Sequence, residues 1–275
     1  MIEIPEAVSL AKQLYGALAG RRIKRVVAGL SPHKFAWFHG DPAGYDALLG
    51  GRTVDQAVSH GGMVEVKAGN ASLLFSDGVV FRFHREKEPR PAKHQLLVEF
   101  EDGAALSCSV QMYGGLVCFQ DGDYDNQYYQ AAKEKPSPLS KGFDRAYFTK
   151  LLSEPGADKL SAKALLATEQ RIPGLGNGVL QDILYQAGIH PKRKLSSLIG
   201  PDRDRLFDSV RGVLAEMTSQ GGRDTETDLF GSKGGYRTRL SKNTVGKACP
   251  ACGSAIEKMA YMGGSVYVCP GCQPL

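Results

Sequence analysis

Four of the six cysteines stand as two pairs, Cys249-Pro-Ala-Cys252 and Cys269-Pro-Gly-Cys272, with sixteen residues between them. Each pair presents two thiolates from one tight turn, and two such turns complete a tetrahedron around a zinc ion. A redox role for a CxxC pair needs a strand–helix–strand setting. This tail lacks one, because Ile256–Met262 and Ser265–Val268 read as two short strands turned at Gly263-Gly264. With all four positions taken by thiolates, one Zn2+ is expected to fold the tail and to have no open position for catalysis. Cys108 and Cys118 fall in apolar, strand-like runs and are expected to be inert core.

Two further features bear chemistry. Ile172-Pro173-Gly174-Leu175-Gly176-Asn177-Gly178 lies between two helical segments, with Asn177 placed to cap the second. A glycine-rich turn feeding a helix start offers free N–H groups and a positive dipole end, which suits a phosphate. An ordinary asparagine cap after glycines leaves the same pattern. From Gly231 to Lys247 there are five basic residues (Lys233, Arg237, Arg239, Lys242 and Lys247) and no acidic one, with Tyr236 among them. The segment adjoins the cysteine hairpin, so its charge is concentrated where a rigid element can aim it; a solvated basic loop is the alternative. The net charge of +5 fits either solubility or affinity for nucleic acid.

These features need elements to hold them. Pro5 suits a first helical turn, Glu6 favours its positive end, and Val8, Leu10, Ala11, Leu14 and Leu18 recur at helical spacing until Gly20. The pattern then becomes short β-like runs over 25–30, 35–38, 63–66, 72–75, 79–83, 95–100, 104–110 and 116–119, with hairpin signals at Asp77-Gly78 and Asp102-Gly103. Eight such strands imply a sandwich or barrel. A polar stretch, residues 121–141, reads as a linker, and helical periods follow at about 144–153, 161–170, 177–188 and 202–219. The expected fold is α+β: an N-terminal helix with an eight-stranded β-sandwich (1–120), the linker, a helical domain (142–235) and a β-hairpin zinc finger (236–275). No apolar run reaches the ~18 residues of a membrane span. The start, Met1-Ile2-Glu3-Ile4-Pro5-Glu6, lacks the basic and apolar regions of a signal peptide. A cytoplasmic protein is the expectation.

In this order the motifs resemble the formamidopyrimidine-DNA glycosylase and endonuclease VIII family of base-excision repair proteins. Glu3-Ile4-Pro5-Glu6 is similar to the family's N-terminal Glu-Leu-Pro-Glu. Gly174-Leu175-Gly176-Asn177 with Ala187-Gly188-Ile189-His190-Pro191 is similar to its helix–two-turns–helix, and the four-cysteine hairpin closes the chain as theirs does. The resemblance implies a monomer acting on double-stranded DNA that carries a damaged base or an abasic site. It implies flipping of the altered nucleotide, whose cost is least for a damaged or mispaired base, and cleavage of the glycosidic bond. It implies an N-terminal amine as nucleophile at the sugar, Glu3 and Glu6 as the motif carboxylates, and Asn177 beside Gly176 as a holder of the phosphate by the lesion.

Departures from the family accompany these matches. The family's N-terminal proline is replaced by Ile2, whose bulk predicts that Met1 is retained and offers a primary amine. No lysine stands near His60-Gly61-Gly62-Met63, where many members clamp phosphate, and Lys67 lies too far along. The arginine that many members carry on the zinc hairpin aligns with Gly264. Of the residues that fill the gap left by the flipped nucleotide, the nearest counterparts are Met112 and Tyr113, either of which could wedge between bases or pack a strand end. Arg237, Arg239 and Lys242 become the expected phosphate contacts, and Arg223 with Asp224 a candidate reader of the base edge. The leading expectation is a hydrolytic DNA glycosylase in which Glu3 activates water and lyase activity is weak. A variant keeps Schiff-base chemistry through Met1. A DNA-binding protein without catalysis is the alternative, and a zinc module for protein or RNA contacts leaves Glu3–Glu6 and Gly174–Asn177 unexplained.

Overall fold

The computed structural model describes residues 1–275. Pro5 has no amide to leave unpaired in a first turn, and helix α1 runs over Ile4–Leu18. Gly20, at φ +78°, ends it in a left-handed conformation that suits glycine. The buried side of α1 divides between two cores. Ala7, Leu10, Ala11, Leu14 and Leu18 pack against the sheet, whereas Ile4 joins the core of the later helices. One helix thus ties the two halves of the molecule together at its first turn.

The β-region comprises β1 (Ile23–Ala28), β2 (Ala36–Trp37), a short helix α2 (Tyr45–Leu49), β3 (Gln56–His60), β4 (Met63–Ala68), β5 (Ala71–His84), β6 (Leu96–Phe100) and β7 (Ala105–Gln120). The hydrogen-bonded order is β1-β6-β7-β5-β4-β3, with β2 joining β7 in parallel at Ala36 and Gly114. Seven strands form where eight short ones are expected. Runs 72–75 and 79–83 are two halves of β5, and runs 104–110 and 116–119 are two halves of β7. β3 is the strand that its weakly apolar sequence, Gln-Ala-Val-Ser-His, does not announce. The apparent turn at Asp77-Gly78 is a bulge, because the β5–β7 register shifts between Asp77 and Val79. A Cβ on Gly78 would overlap the Gln111 carbonyl oxygen, so only glycine permits this approach. Bulges bend the strands that carry them, and both halves of β5 contribute to one core, with Phe75 edge-on to Phe81 at 4.9 Å between centroids.

The remaining helices are α3 (Gln127–Glu134), α4 (Arg145–Leu152), α5 (Ala162–Ala167), α6 (Asn177–Ala187) and α7 (Gly200–Ser219). The polar stretch 121–141 is therefore more than a linker. Asn126 caps α3 by accepting from the Tyr128 and Tyr129 amides, and Tyr129 buries its ring with Leu74 and Phe119 on the outer face of the sheet. Helix α5 stops short of residue 170 because Glu169 and Gln170 adopt positive φ. α4 to α7 enclose the second core, which includes Leu165, Val179, Ile183 and Leu214. The chain closes with the hairpin β8 (Glu257–Tyr261) and β9 (Gly264–Val268), turned at Met262-Gly263, one residue earlier than expected. No helix is long and apolar enough to cross a membrane.

Candidate active site and metal centre

The first turn of α6 carries the site's most constrained contact. Gly176 is its N-cap residue and Asn177 its first helical residue, so Asn177 does not cap the helix as expected. Glu3 does so from the start of the chain: its two carboxylate oxygens accept from the Gly178 and Val179 amides, each at 2.8 Å. An anion sits where free N–H groups and the helix dipole favour one, and that anion is a side chain rather than a phosphate. The glycines make room for it. A Cβ on Gly176 would stand 2.7 Å from the Glu3 carboxyl carbon, and one on Gly178 would overlap Arg223 Nη1. Gly174, at φ +79°, faces the β3–β4 turn so closely that a Cβ would overlap the Gly62 nitrogen. The glycine-rich motif serves close approach between the two halves of the molecule.

Behind Glu3 lies Arg223, only 3% exposed. Its Nε and Nη2 donate to the two oxygens of Glu6 at 3.0 and 2.8 Å, and its Nη1 stands 3.5 Å from Glu3. Such a forked pair is among the strongest hydrogen-bonded arrangements available to these side chains. Burial works against the Arg223 cation, yet Glu3 and Glu6 outweigh it and raise its pKa. The Glu3 carboxyl is pushed up by burial, against the pull of Arg223 and the two amides. Arg223 is thus a buried counterion to the two motif carboxylates, which corrects its expected place at a base edge. Asp224 does not pair with it either, since its carboxylate accepts from Thr238.

The N-terminus is fastened at three points. The Ile2 amide donates to the Asp77 carbonyl at 2.6 Å, Arg223 Nη2 donates to the Met1 carbonyl at 3.1 Å, and the Met1 ammonium is paired with Glu226. The Ile2 side chain is buried in the sheet core, so its bulk is an anchor. Chain ends fray unless tied down, and this one is held on the floor of a cleft of about 820 Å³ between the two cores. Glu3 and Asp77 share that floor, Trp37 and Tyr113 stand on the sheet side, and Asn177 lies on the α6 side. The arrangement sets a primary amine and a carboxyl with a raised pKa, Glu3, on one solvent-accessible space, with the Glu226 carboxylate paired to the amine from outside it.

The hairpin docks on α6 through side-chain amides. Asn177 Nδ2 donates to the Ser265 carbonyl at 2.8 Å, and Gln181 Oε1 accepts from the Tyr267 amide at 3.0 Å. Asn177 Oδ1 is buried without a partner. Lys163 of α5 belongs to none of the expected site residues. It is buried, its Nζ donates to the Tyr261 carbonyl at 2.6 Å, and it stands 3.6 Å from where a Gly264 Cβ would be. A lone lysine within the apolar run Ala162–Ala167 is the signal that could have marked it. Burial lowers its pKa. The cysteines meet as expected, with all four Sγ atoms within 4.8 Å of one another and Cys249–Cys272 and Cys252–Cys269 at 3.7 and 3.3 Å. A zinc ion with thiolates at about 2.3 Å requires S–S edges of about 3.8 Å, so this donor set fits a tetrahedral metal. The Tyr185 hydroxyl, 3.2 Å from Cys249 Sγ, adds an outer contact.

The remaining expected residues scatter. Met112 projects from the β7 bulge at φ +61° and 71% exposure, which suits a wedge. Tyr113 is instead half-buried against Trp37, ring centroids 5.6 Å apart. Arg237 and Lys242 are exposed. Arg239 turns to the helices, donating to Gln186 and standing 3.7 Å from Glu216, so it is less available than expected.

No protein-family model matches the chain. Among proteins of similar sequence, the formamidopyrimidine-DNA glycosylase of Symbiobacterium thermophilum is 30% identical over the whole of this chain and 90% of its own length. That of Thermus thermophilus is 28% identical over 99% and 98% of the two chains. Among solved structures, the MutM (Fpg) protein of Thermus thermophilus is similar at a TM-score of 0.79 and 27% identity, covering 98% of each chain. The Lactococcus lactis Fpg in complex with DNA containing an abasic site gives a TM-score of 0.83 at 23% identity, covering 99% of this chain and all of that one, a likeness of fold.

Proposed function

The chain belongs to the formamidopyrimidine-DNA glycosylase family, and on that premise we propose that it is a DNA glycosylase that binds duplex DNA at a damaged base, takes the nucleotide into the cleft and breaks its glycosidic bond. The observation that carries the reading is the fastened N-terminus. Arg223 donates to the Met1 carbonyl, Glu226 pairs with the Met1 ammonium, and the Ile2 amide donates to the Asp77 carbonyl, which together hold the amine at the cleft. Duplex DNA reaches the cleft by phosphate contacts, for which the exposed Arg237 and Lys242 are the cations best placed. Met112 takes the space of the extruded nucleotide. The four cysteines hold one zinc ion, which fixes the hairpin on α6 and takes no part in the reaction.

The bond-breaking step uses the amine. Its ammonium passes a proton to Glu226, and the free amine attacks the sugar C1′ while the electrons of the glycosidic bond leave with the base. Attack leaves two protons on the nitrogen; one is lost to solvent, and the nitrogen lone pair then expels O4′ by breaking the C1′–O4′ bond, which gives a protonated Schiff base. Glu3 supplies the proton that ring opening requires. Hydrolysis then returns the amine and leaves an abasic site. This reading prefers the amine to a Glu3-activated water as nucleophile, because the Met1 nitrogen already has a carboxylate, Glu226, placed to take its proton. Duplexes carrying one oxidised or alkylated base, assayed for free base and strand nicks, test it. Base release that slows at least tenfold in Glu226→Gln is the expected result. Tight, salt-sensitive binding to lesion duplexes without any product would instead make this a binding protein, since phosphate contacts release counterions.

A further inference from the structure

The cleft has an unusual lining for a site that would read a neutral guanine-type base. In duplex DNA the O6 and N7 acceptors of such bases are most often met by arginine or lysine, and a flipped base is read by hydrogen bonds to its edge and by stacking. No arginine or lysine lines this cleft. Arg223, the one guanidinium expected there, is sealed behind Glu3 and Glu6, and the Met1 ammonium is paired with Glu226. The charged side chains that do face the space are acidic: Glu3, which Arg223 balances, Glu169, which Arg171 balances, and Asp77, which has no arginine or lysine partner.

The walls are aromatic. Trp37 and Tyr113 stand together at 36° between ring planes, and Tyr124, before α3, and Tyr128, in its first turn, face the same space. Trp37 and Tyr128 are each 48% exposed, so their rings have surface left for a ligand. Asp77, held at positive φ in the β5 bulge, has its carboxyl pushed up by burial, with only Ser76 and the N-terminus opposing the shift. Tyr113 is also raised, by burial first and then by Asp77 and Glu3 beside it. Electron-rich ring faces backed by carboxylates attract a flat cation.

We infer that the cleft selects a purine bearing a formal positive charge, of the kind made by alkylation of a ring nitrogen, over a neutral oxidised purine. The inference rests on the glycosylase reading and names its substrate class. Trp37 and Tyr113 stack on the charged ring, and Asp77 supplies the counter-charge. Attack at C1′ sends the electrons of the C1′–N9 bond into the ring, cancelling its charge, so the base departs neutral and needs no proton from the protein.

Trp37 is the only tryptophan, so its fluorescence reports the cleft directly. The test uses the full-length, zinc-loaded protein with duplexes holding one 7-methylguanine or one 8-oxoguanine, together with free 7-methylguanosine and guanosine. Expected results are release of 7-methylguanine at least tenfold faster than 8-oxoguanine, and quenching of Trp37 by 7-methylguanosine at concentrations where guanosine has no effect. Asp77→Asn should cut the preference for the charged base severalfold. Equal or faster release of 8-oxoguanine would overturn the inference and leave the glycosylase reading standing. Release of neither base would overturn the glycosylase reading; equal quenching by the two nucleosides would then overturn this one as well.

Discussion

The two sides of Glu3 are built on opposite principles. Behind it, Glu6, Arg223 and the first amides of α6 form a buried hub in which the arginine forks onto one carboxylate and the helix amides cap the other. In front of it, Trp37, Asp77 and Tyr113 line a half-exposed cleft with polar and aromatic surface left over. Residues that belong to recognisable motifs are consumed by the hub, whereas the surface able to meet a ligand comes from positions with no motif. The hub makes the site rigid, and the cleft makes it selective.

The comparison breaks most visibly at Arg223. Arg223→Ala leaves two buried carboxylates without their counterion and should destabilise the fold by about 3–5 kcal/mol, read by denaturant unfolding. Arg223→Met, which keeps the volume, should restore little of it while Glu3 and Glu6 remain charged. A loss under about 1 kcal/mol would show that the hub is not buried in solution.

A different carboxylate gives a second test. Glu65 accepts from His60, Ser72 and Tyr129 at 2.9, 2.7 and 2.9 Å. Burial opposes its ionisation, but those donors prevail and hold its pKa at about 2 against an ordinary 4.5. A depressed carboxyl contributes stability that is present above its unfolded value and is lost as pH falls through the folded one. Wild type should therefore lose about 2–3 kcal/mol between pH 4.5 and 2 from this group. Glu65→Gln should flatten that limb in unfolding curves collected across the range. Glu3, raised by burial, should add nothing to it.

Glycines sharpen the contrast on a smaller scale. Gly178→Ala drives a methyl into Arg223 Nη1 and should cost about 1–3 kcal/mol by overpacking. Gly264→Ala meets its nearest neighbours, Asn177 and Lys163, at 3.4 Å and beyond, and should change stability by no more than about 0.5 kcal/mol. Similar melting temperatures for the two variants would contradict the tight packing of the hub.

Local signals were legible. The CxxC spacing foretold the thiolate cluster, the apolar periods located α1, α4, α6 and α7, and the final hairpin was displaced by one residue. What escaped has a common cause. The pairs Arg223–Glu6 and Met1–Glu226 join residues more than two hundred positions apart, and no spacing rule relates them. The polar composition of 121–141 hid Tyr124, Tyr128 and Tyr129, which build a cleft wall and the sheet's outer face. The bulge at Asp77-Gly78 imitates a turn because both need glycine to bring backbones together. Asn177 imitates a cap because the group that does cap α6 arrives from the other end of the chain.

The proposed chemistry turns on the Met1 amine. Borohydride reduction during incubation with an abasic-site duplex, followed by mass spectrometry of the cross-linked peptide, tests this directly. A single adduct on the Met1 α-nitrogen, lost when one residue is added before Met1 and reduced at least tenfold in Glu226→Gln, is the predicted result. Base release without any adduct, or an adduct mapped to a lysine side chain, would contradict it.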